Sequence, residues 1–304
     1  MLTQWHADRA ARNAEIEAFT PEEKRIKAVG KDTDFPYDKM CIYMTQNAET
    51  LFEPKKIISP GDWLVSQREG HQTFDWYKAG NGNIKWIKKG KDKISLFLMD
   101  NTFSDEQVAK YQMYAQAFFP GAKMGVIKKG DFLTKARIAN REGFEAHQYQ
   151  CCGKDGILQK LPTYKPLDHY AILGVTNNDL YPGPRWNYCF GWASYTEGVG
   201  TFSFCRYDPA WDGIDDPDRE KNFLMRSCHI MVHEIGHMFG LRHCIYYECL
   251  MNGLNSAEEQ RQGGIRILCP VCQKKLKQNL GYDCTARFKG LLEVCEKLGF
   301  TEEA

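Results

Sequence analysis

The run His233-Glu234-Ile235-Gly236-His237-Met238-Phe239-Gly240-Leu241-Arg242-His243 limits what this chain can fold into. On a helix, residues four apart share a face, so His233 and His237 can offer ring nitrogens to one ion. Glu234 projects beside them and can reach a water on that ion. Gly240 lacks a Cβ, so the chain can turn sharply and bring His243 round as a third ligand. Three protein ligands leave a fourth position open, as in a catalytic rather than a structural zinc site. A buried helix with incidental histidines would not need this combination of spacings. His229 lies four residues before His233, but with three ligands in place it reads as a surface or hydrogen-bonded histidine.

Cys244, Cys249, Cys269 and Cys272 follow within thirty residues. Two cysteine pairs can supply the four thiolates of a closed tetrahedral zinc site. Alone, Cys269-Pro270-Val271-Cys272 would be ambiguous with a thiol–disulfide redox motif. No strand-then-helix pattern precedes it, and the second pair is close, so zinc is the better reading.

These residues carry a family resemblance. From His233 to Cys272 the chain resembles the archaemetzincins: an extended zinc motif, a cysteine directly after the third histidine, a second before Met251, then the closing cysteine pair. Weaker resemblance continues through Pro60-Gly61-Asp62-Trp63-Leu64, Asp179-Leu180-Tyr181-Pro182, Trp186-Asn187, Phe190-Gly191 and Gly198-Val199-Gly200, as in a eukaryotic-type member. It implies an α+β, metzincin-like fold with a mixed, mainly parallel twisted sheet, an antiparallel edge strand and an active-site helix. A small zinc-stabilised C-terminal subdomain would follow, with the catalytic zinc in the cleft before it. Met251 would lie beneath that zinc. The implied activity is a zinc-dependent metallopeptidase with two zinc ions per chain. His233, His237 and His243 would hold the catalytic ion, with Glu234 as general base on its water. Cys244, Cys249, Cys269 and Cys272 would hold the structural ion. Aminopeptidase-like cleavage is attributed to vertebrate relatives. The alternative is a non-catalytic zinc module that binds protein or nucleic acid. Glu234 separates the two, because a binding module needs no base beside its metal.

Composition narrows the setting. Forty basic against 39 acidic residues in 304 leave almost no net charge, so no global field favours nucleic acid or an anionic membrane. Only Lys78–Lys93, with six lysines, is locally basic, and it reads as a solvated hairpin or loop. No run reaches the ~18 to 20 apolar residues of a membrane span, and Met1–Arg25 lacks an export signal. Eight further cysteines then read as reduced thiols, and the expectation is a cytoplasmic or nuclear monomer acting on peptides or proteins.

Along the chain, residues 1–93 read as a partly irregular extension with a charged helical lead-in, in which Thr20-Pro21-Glu22-Glu23 starts a helix. Residues 94–304 read as the catalytic domain, divided into 94–240 and 241–304. Alternating patterns predict strands at 94–99, 122–127 and 170–176. A helix from the capping box Ser104–Gln107 to Phe118 separates the first two, and a shorter one near 156–161 precedes the third. Phe190–Tyr207 reads as an edge hairpin able to take peptide as an added strand, with Gly198, Val199 and Gly200 allowing close approach. Asp216 and Pro217 would start the active-site helix. Leu224, Cys228, Met231, Ile235 and Met238 would be its core face, and Cys284–Leu298 a closing helix.

Overall fold

The computed structural model describes residues 19–30, 38–57, 60–67, 69–81, 84–143, 145–194, 196–255 and 267–300. The lead-in before residue 19 lies outside them. The chain forms two compact units. One is Lys85–Gly240 with Leu280–Tyr282 and Ala286–Ala304; the other draws on Met1–Ile84, Leu241–Asn279 and Asp283–Thr285. No described helix is long and apolar enough to cross a membrane.

The larger unit is built on a five-stranded sheet ordered β2-β1-β5-β8-β7. Strand β1 is Lys93–Leu98, β2 Lys123–Lys128, β5 His169–Thr176, β7 Gly191–Ser194 and β8 Val199–Ser203. All neighbours are parallel except β7, which runs antiparallel to β8 at the edge. Parallel strands need a crossover. Helix Asp105–Phe118 supplies the first, capped reciprocally by Ser104 and Gln107 as the sequence predicts. Every residue of β5 is buried, which accounts for its unbroken apolar run. Phe97, Phe132, Ile157, Leu161, Ile172 and Leu180 pack into a core on one side of this sheet. A second sheet of β3 (Asn140–Glu142), β4 (His147–Gln150) and β6 (Asp179–Tyr181) was not foreseen. Its strands are three or four residues long, too short for an alternating pattern to stand out.

The long helix spans Arg219–Met238 and packs against helix Asp105–Phe118, β7 and β8. It begins two residues later than expected. Asp216 instead closes a turn ahead of it, accepting from the Asp218 N–H at 2.9 Å and the Asn222 amide at 2.7 Å. Cys228, Met231, Ile235 and Met238 are buried as their spacing requires, whereas Leu224, near the start of the helix, is only half-buried. His229 is buried too, edge-on to Tyr114, and so is not a surface histidine.

The smaller unit is helical. Pro21–Val29 begins with the expected Thr20–Glu23 capping box, and Lys39–Gln46 is capped by Asp38. Helix Pro270–Leu280 carries three buried lysines. Lys274 Nζ donates to the Val29 carbonyl at 2.7 Å, Lys275 Nζ to Gln72 Oε1 at 3.1 Å and Lys277 Nζ to Asp38 Oδ2 at 2.6 Å. Burying an ammonium group is costly unless it is paired or hydrogen-bonded, so these contacts fix how the early and late segments meet. Burial alone would raise the pKa of Asp38. The Cys284 N–H, the Lys277 ammonium and the Cys41 N–H outweigh it and hold the carboxyl at about 2. A depressed carboxyl contributes stability above its unfolded pKa and loses it as pH falls through the folded value. Asp38→Asn should therefore cost about 2 kcal/mol at pH 7. The gap to wild type should close as pH falls from 4 toward 2, measured by denaturant unfolding at each pH.

Candidate active site and metal centres

The last two turns of the long helix bring His233 and His237 onto one face. Both are buried, with their rings perpendicular and the two Nε2 atoms 3.0 Å apart. Helix continuation stops at Gly240, whose N–H donates to the His237 carbonyl at 2.8 Å. Its φ of 79° lies in the left-handed region, where a side chain would be strained. His243 follows that turn, and the ligating nitrogens of His233, His237 and His243 all lie within 4.8 Å of one another. A tetrahedral zinc with Zn–N bonds of about 2.0–2.1 Å has ligand edges of about 3.3–3.4 Å, so three neutral imidazoles at this spacing suit that ion.

Glu234 is half-buried beside this pair, and desolvation raises its carboxyl pKa to about 8. A divalent cation on the histidines would draw it back toward the ionised form. Strand β7 passes close by. A Cβ built on Gly191 would lie 3.3 Å from the Glu234 carboxyl carbon and 2.8 Å from the Thr201 carbonyl. Gly191 is therefore the glycine that lets this edge strand pass close to Glu234, while the tight contacts at Gly198 are with the Tyr170 carbonyl and Lys165 Nζ. Val199 and Gly200 are buried in β8, one strand further in, and a Cβ at Gly200 would meet only ordinary contacts. Tyr207, which spacing gave no reason to single out, is buried against Phe190. Burial first, and the charge of Glu234 second, push its hydroxyl pKa well up, so it stays a proton donor.

A second residue that spacing missed is Glu69. Its Oε1 accepts from His243 Nδ1 at 2.7 Å and from the Trp63 indole N–H at 2.7 Å. Trp63 belongs to the segment Pro60–Leu64 singled out by resemblance, which was the available signal.

Cys244, Cys249, Cys269 and Cys272 form a second cluster, all buried, with their sulfurs within 4.8 Å of one another. Among the described residues these two clusters alone have the spacing to hold a metal. The Cys244 and Cys269 sulfurs are 3.6 Å apart, close to the ~3.8 Å edge of a tetrahedron with Zn–S bonds of about 2.3 Å. Asn252 ties the loop, accepting from the Cys249 N–H at 2.8 Å and donating to the Cys244 carbonyl at 2.7 Å. Backbone N–H groups of Met251 and Cys269 donate to the Cys249 sulfur at 3.4 and 3.3 Å, the kind of outer contact that supports a thiolate ligand. Cys272 sits in the first turn of helix Pro270–Leu280, where the helix dipole favours negative charge. Donation from three neighbouring thiols pulls the Cys244 pKa well down, and burial pushes Cys249 and Cys269 well up. Four crowded thiols with one preferred anion suit a shared cation. Met251 is fully buried, and its carbonyl accepts from the Cys244 N–H at 2.7 Å.

Comparison with known proteins agrees with the resemblance. The model of peptidase family M54 matches residues 168–278. The chain is 33% identical to archaemetzincin-2 of Pongo abelii over 275 residues, covering 81% of this chain and 75% of that protein, and the same figures hold for archaemetzincin-2 of Homo sapiens. Archaemetzincin-1 of Homo sapiens is 26% identical over 314 residues, 93% of this chain and 59% of that one. The crystal structure of archaemetzincin from Methanopyrus kandleri, 26% identical, covers 64% of this chain and 99% of its own at a TM-score of 0.49. Identity at this level over most of both chains means that the protein belongs to the archaemetzincin family and is a zinc metallopeptidase.

Proposed function

We propose that the chain hydrolyses peptide bonds at the three-histidine cluster, with Glu234 as general base. The observation that carries this is the half-buried Glu234 carboxyl, next to His233 in sequence and one helical turn before His237. His233, His237 and His243 would hold zinc, which when bound supplies a Lewis acid that acidifies water and polarises a carbonyl. Glu234 would take a proton from the attacking water onto its carboxylate and deliver it to the leaving amine nitrogen. A base near the working pH is best suited to both transfers. Edge strand β7 would bind the substrate backbone as an added strand, brought close to Glu234 by Gly191. The four cysteines would hold a second, structural zinc. Aminopeptidase-like preference, a monomeric state and a cytoplasmic setting belong to the same reading.

Purified protein should contain two zinc ions per chain, one of them released faster by chelators. The four-thiol site has no open position for an incoming ligand, so the histidine site should empty first. Cleavage of a mixed peptide library, read by mass spectrometry, should stop with that first loss and return on adding one equivalent of zinc. One zinc per chain, or cleavage indifferent to the fast-releasing metal, would sink the proposal. The product ends would also separate terminal trimming from internal cutting.

A further inference from the structure

The three clustered histidines are not held alike. His233 and His237 are fixed by their helix, whereas His243 lies beyond it in a stretch with no regular secondary structure. A ligand on such a stretch needs its ring oriented by something else. Glu69 is in place to do this. Its Oε1 lies 2.7 Å from His243 Nδ1, and a carboxylate can only accept, so the Nδ1 must carry the proton. The remaining nitrogen, Nε2, then carries the lone pair that a metal would take. The side chains of His243 and Glu69 are only 22% and 19% exposed, so water competes weakly for the bond.

Trp63 holds this carboxylate in turn. Its indole N–H donates to the same Oε1 at 2.7 Å, and its ring stands edge-on to His243 at 5.0 Å between centroids. The indole lies against Gly253, where an added Cβ would sit 2.5 Å from it, two residues after Met251. Asn255 Nδ2 donates to the Gly61 carbonyl at 2.9 Å and to Ser66 Oγ at 3.0 Å. Gly61, Trp63 and Ser66 are thus docked onto the chain that follows His243.

We propose that Glu69, held by Trp63, is the positioning residue of the third zinc ligand, locking His243 in the Nδ1–H tautomer with Nε2 presented to the ion. Trp63 and Glu69 then belong to the metal centre, although they lie some 170 to 180 positions before it. The charge also makes the imidazole a stronger donor, as carboxylate partners of metal-bound histidines do. This rests on the histidine cluster binding zinc, so zinc itself is the probe.

The whole 304-residue chain should be loaded with two zinc ions and titrated with a competing chelator. Glu69→Ala should weaken the fast-releasing site by roughly 10- to 100-fold, the usual effect of losing such a partner, and leave the four-thiol site unchanged. Glu69→Gln keeps an oxygen acceptor without the charge and should lose less than Glu69→Ala. Trp63→Phe, which removes the indole N–H and part of the ring's packing against Gly253, should also fall between Glu69→Ala and wild type. In metal-free protein labelled with ¹⁵N-histidine, His243 should show a protonated Nδ1, and in Glu69→Ala a mixture of tautomers. A general loosening of the fold would weaken both zinc sites together, and that outcome would overturn the assignment, as would Glu69→Ala with wild-type zinc affinity and a wild-type tautomer. A wild-type protein that binds no zinc at the histidines would instead remove the reading on which this one rests.

Discussion

Glu234→Gln should lower peptide hydrolysis by roughly 10²- to 10⁴-fold while both metal sites stay filled, the range for a positioned general base. The substitution keeps the size and shape of the side chain and removes only its capacity to take a proton. Glu234 is half-buried with strand β7 passing close by, so an isosteric amide is the change least disruptive to packing. His237→Ala should behave differently, losing the fast-releasing zinc along with the activity. A peptide mixture read by mass spectrometry serves both variants, with metal content measured on the same samples. Equal products at equal rates from wild type and Glu234→Gln would refute the mechanism and point to a contaminating peptidase. The binding-module alternative predicts no hydrolysis by wild type at all.

Cys269→Ser should have the largest effect on stability. Cys269 is fully buried, its sulfur lies 3.6 Å from that of Cys244, and its N–H donates to the Cys249 sulfur. Serine supplies no thiolate, so the four-thiol set becomes incomplete. Structural zinc sites contribute about 10–16 kcal/mol of metal-linked folding energy, and most of the local order here should go with the ion. Metal analysis should show loss of the slowly released zinc, and limited proteolysis should cut within Leu241–Asn279 under conditions where wild type resists. A variant with two zinc ions and wild-type resistance would rule out the structural site. A redox role for Cys269 and Cys272 would show itself as sensitivity to mild oxidants.

What could be read from the sequence was local. The Ser104 and Thr20 capping boxes, the left-handed Gly240, the apolar run of β5 and the spacing of Cys228, Met231, Ile235 and Met238 all follow from rules that act within a few residues. The metal clusters were legible for the same reason, since their ligands fall within forty positions. Contacts across long stretches of chain were not. Lys274, Lys275 and Lys277 look like a solvated face, yet each is buried by a partner some two hundred or more positions earlier. Glu69 has no periodicity or neighbouring motif to mark it. The start of the long helix was misplaced because Asp216-Pro217 is equally good chemistry for the turn that Asp216 makes with Asp218 and Asn222.

The smaller unit combines the first eighty-four residues with Leu241–Asn279, and this sets an order of events at the ribosome. At about 5–20 residues per second, the intervening chain takes roughly 8–30 s to synthesise. Throughout that interval Val29, Asp38 and Gln72 exist without the lysines that later bond to them. The sheet of the larger unit, contiguous from β1 to β8, can close while they wait. A ribosome-stalled chain ending near residue 240 should remain protease-sensitive before residue 84 and become resistant there only when the lysine helix has emerged.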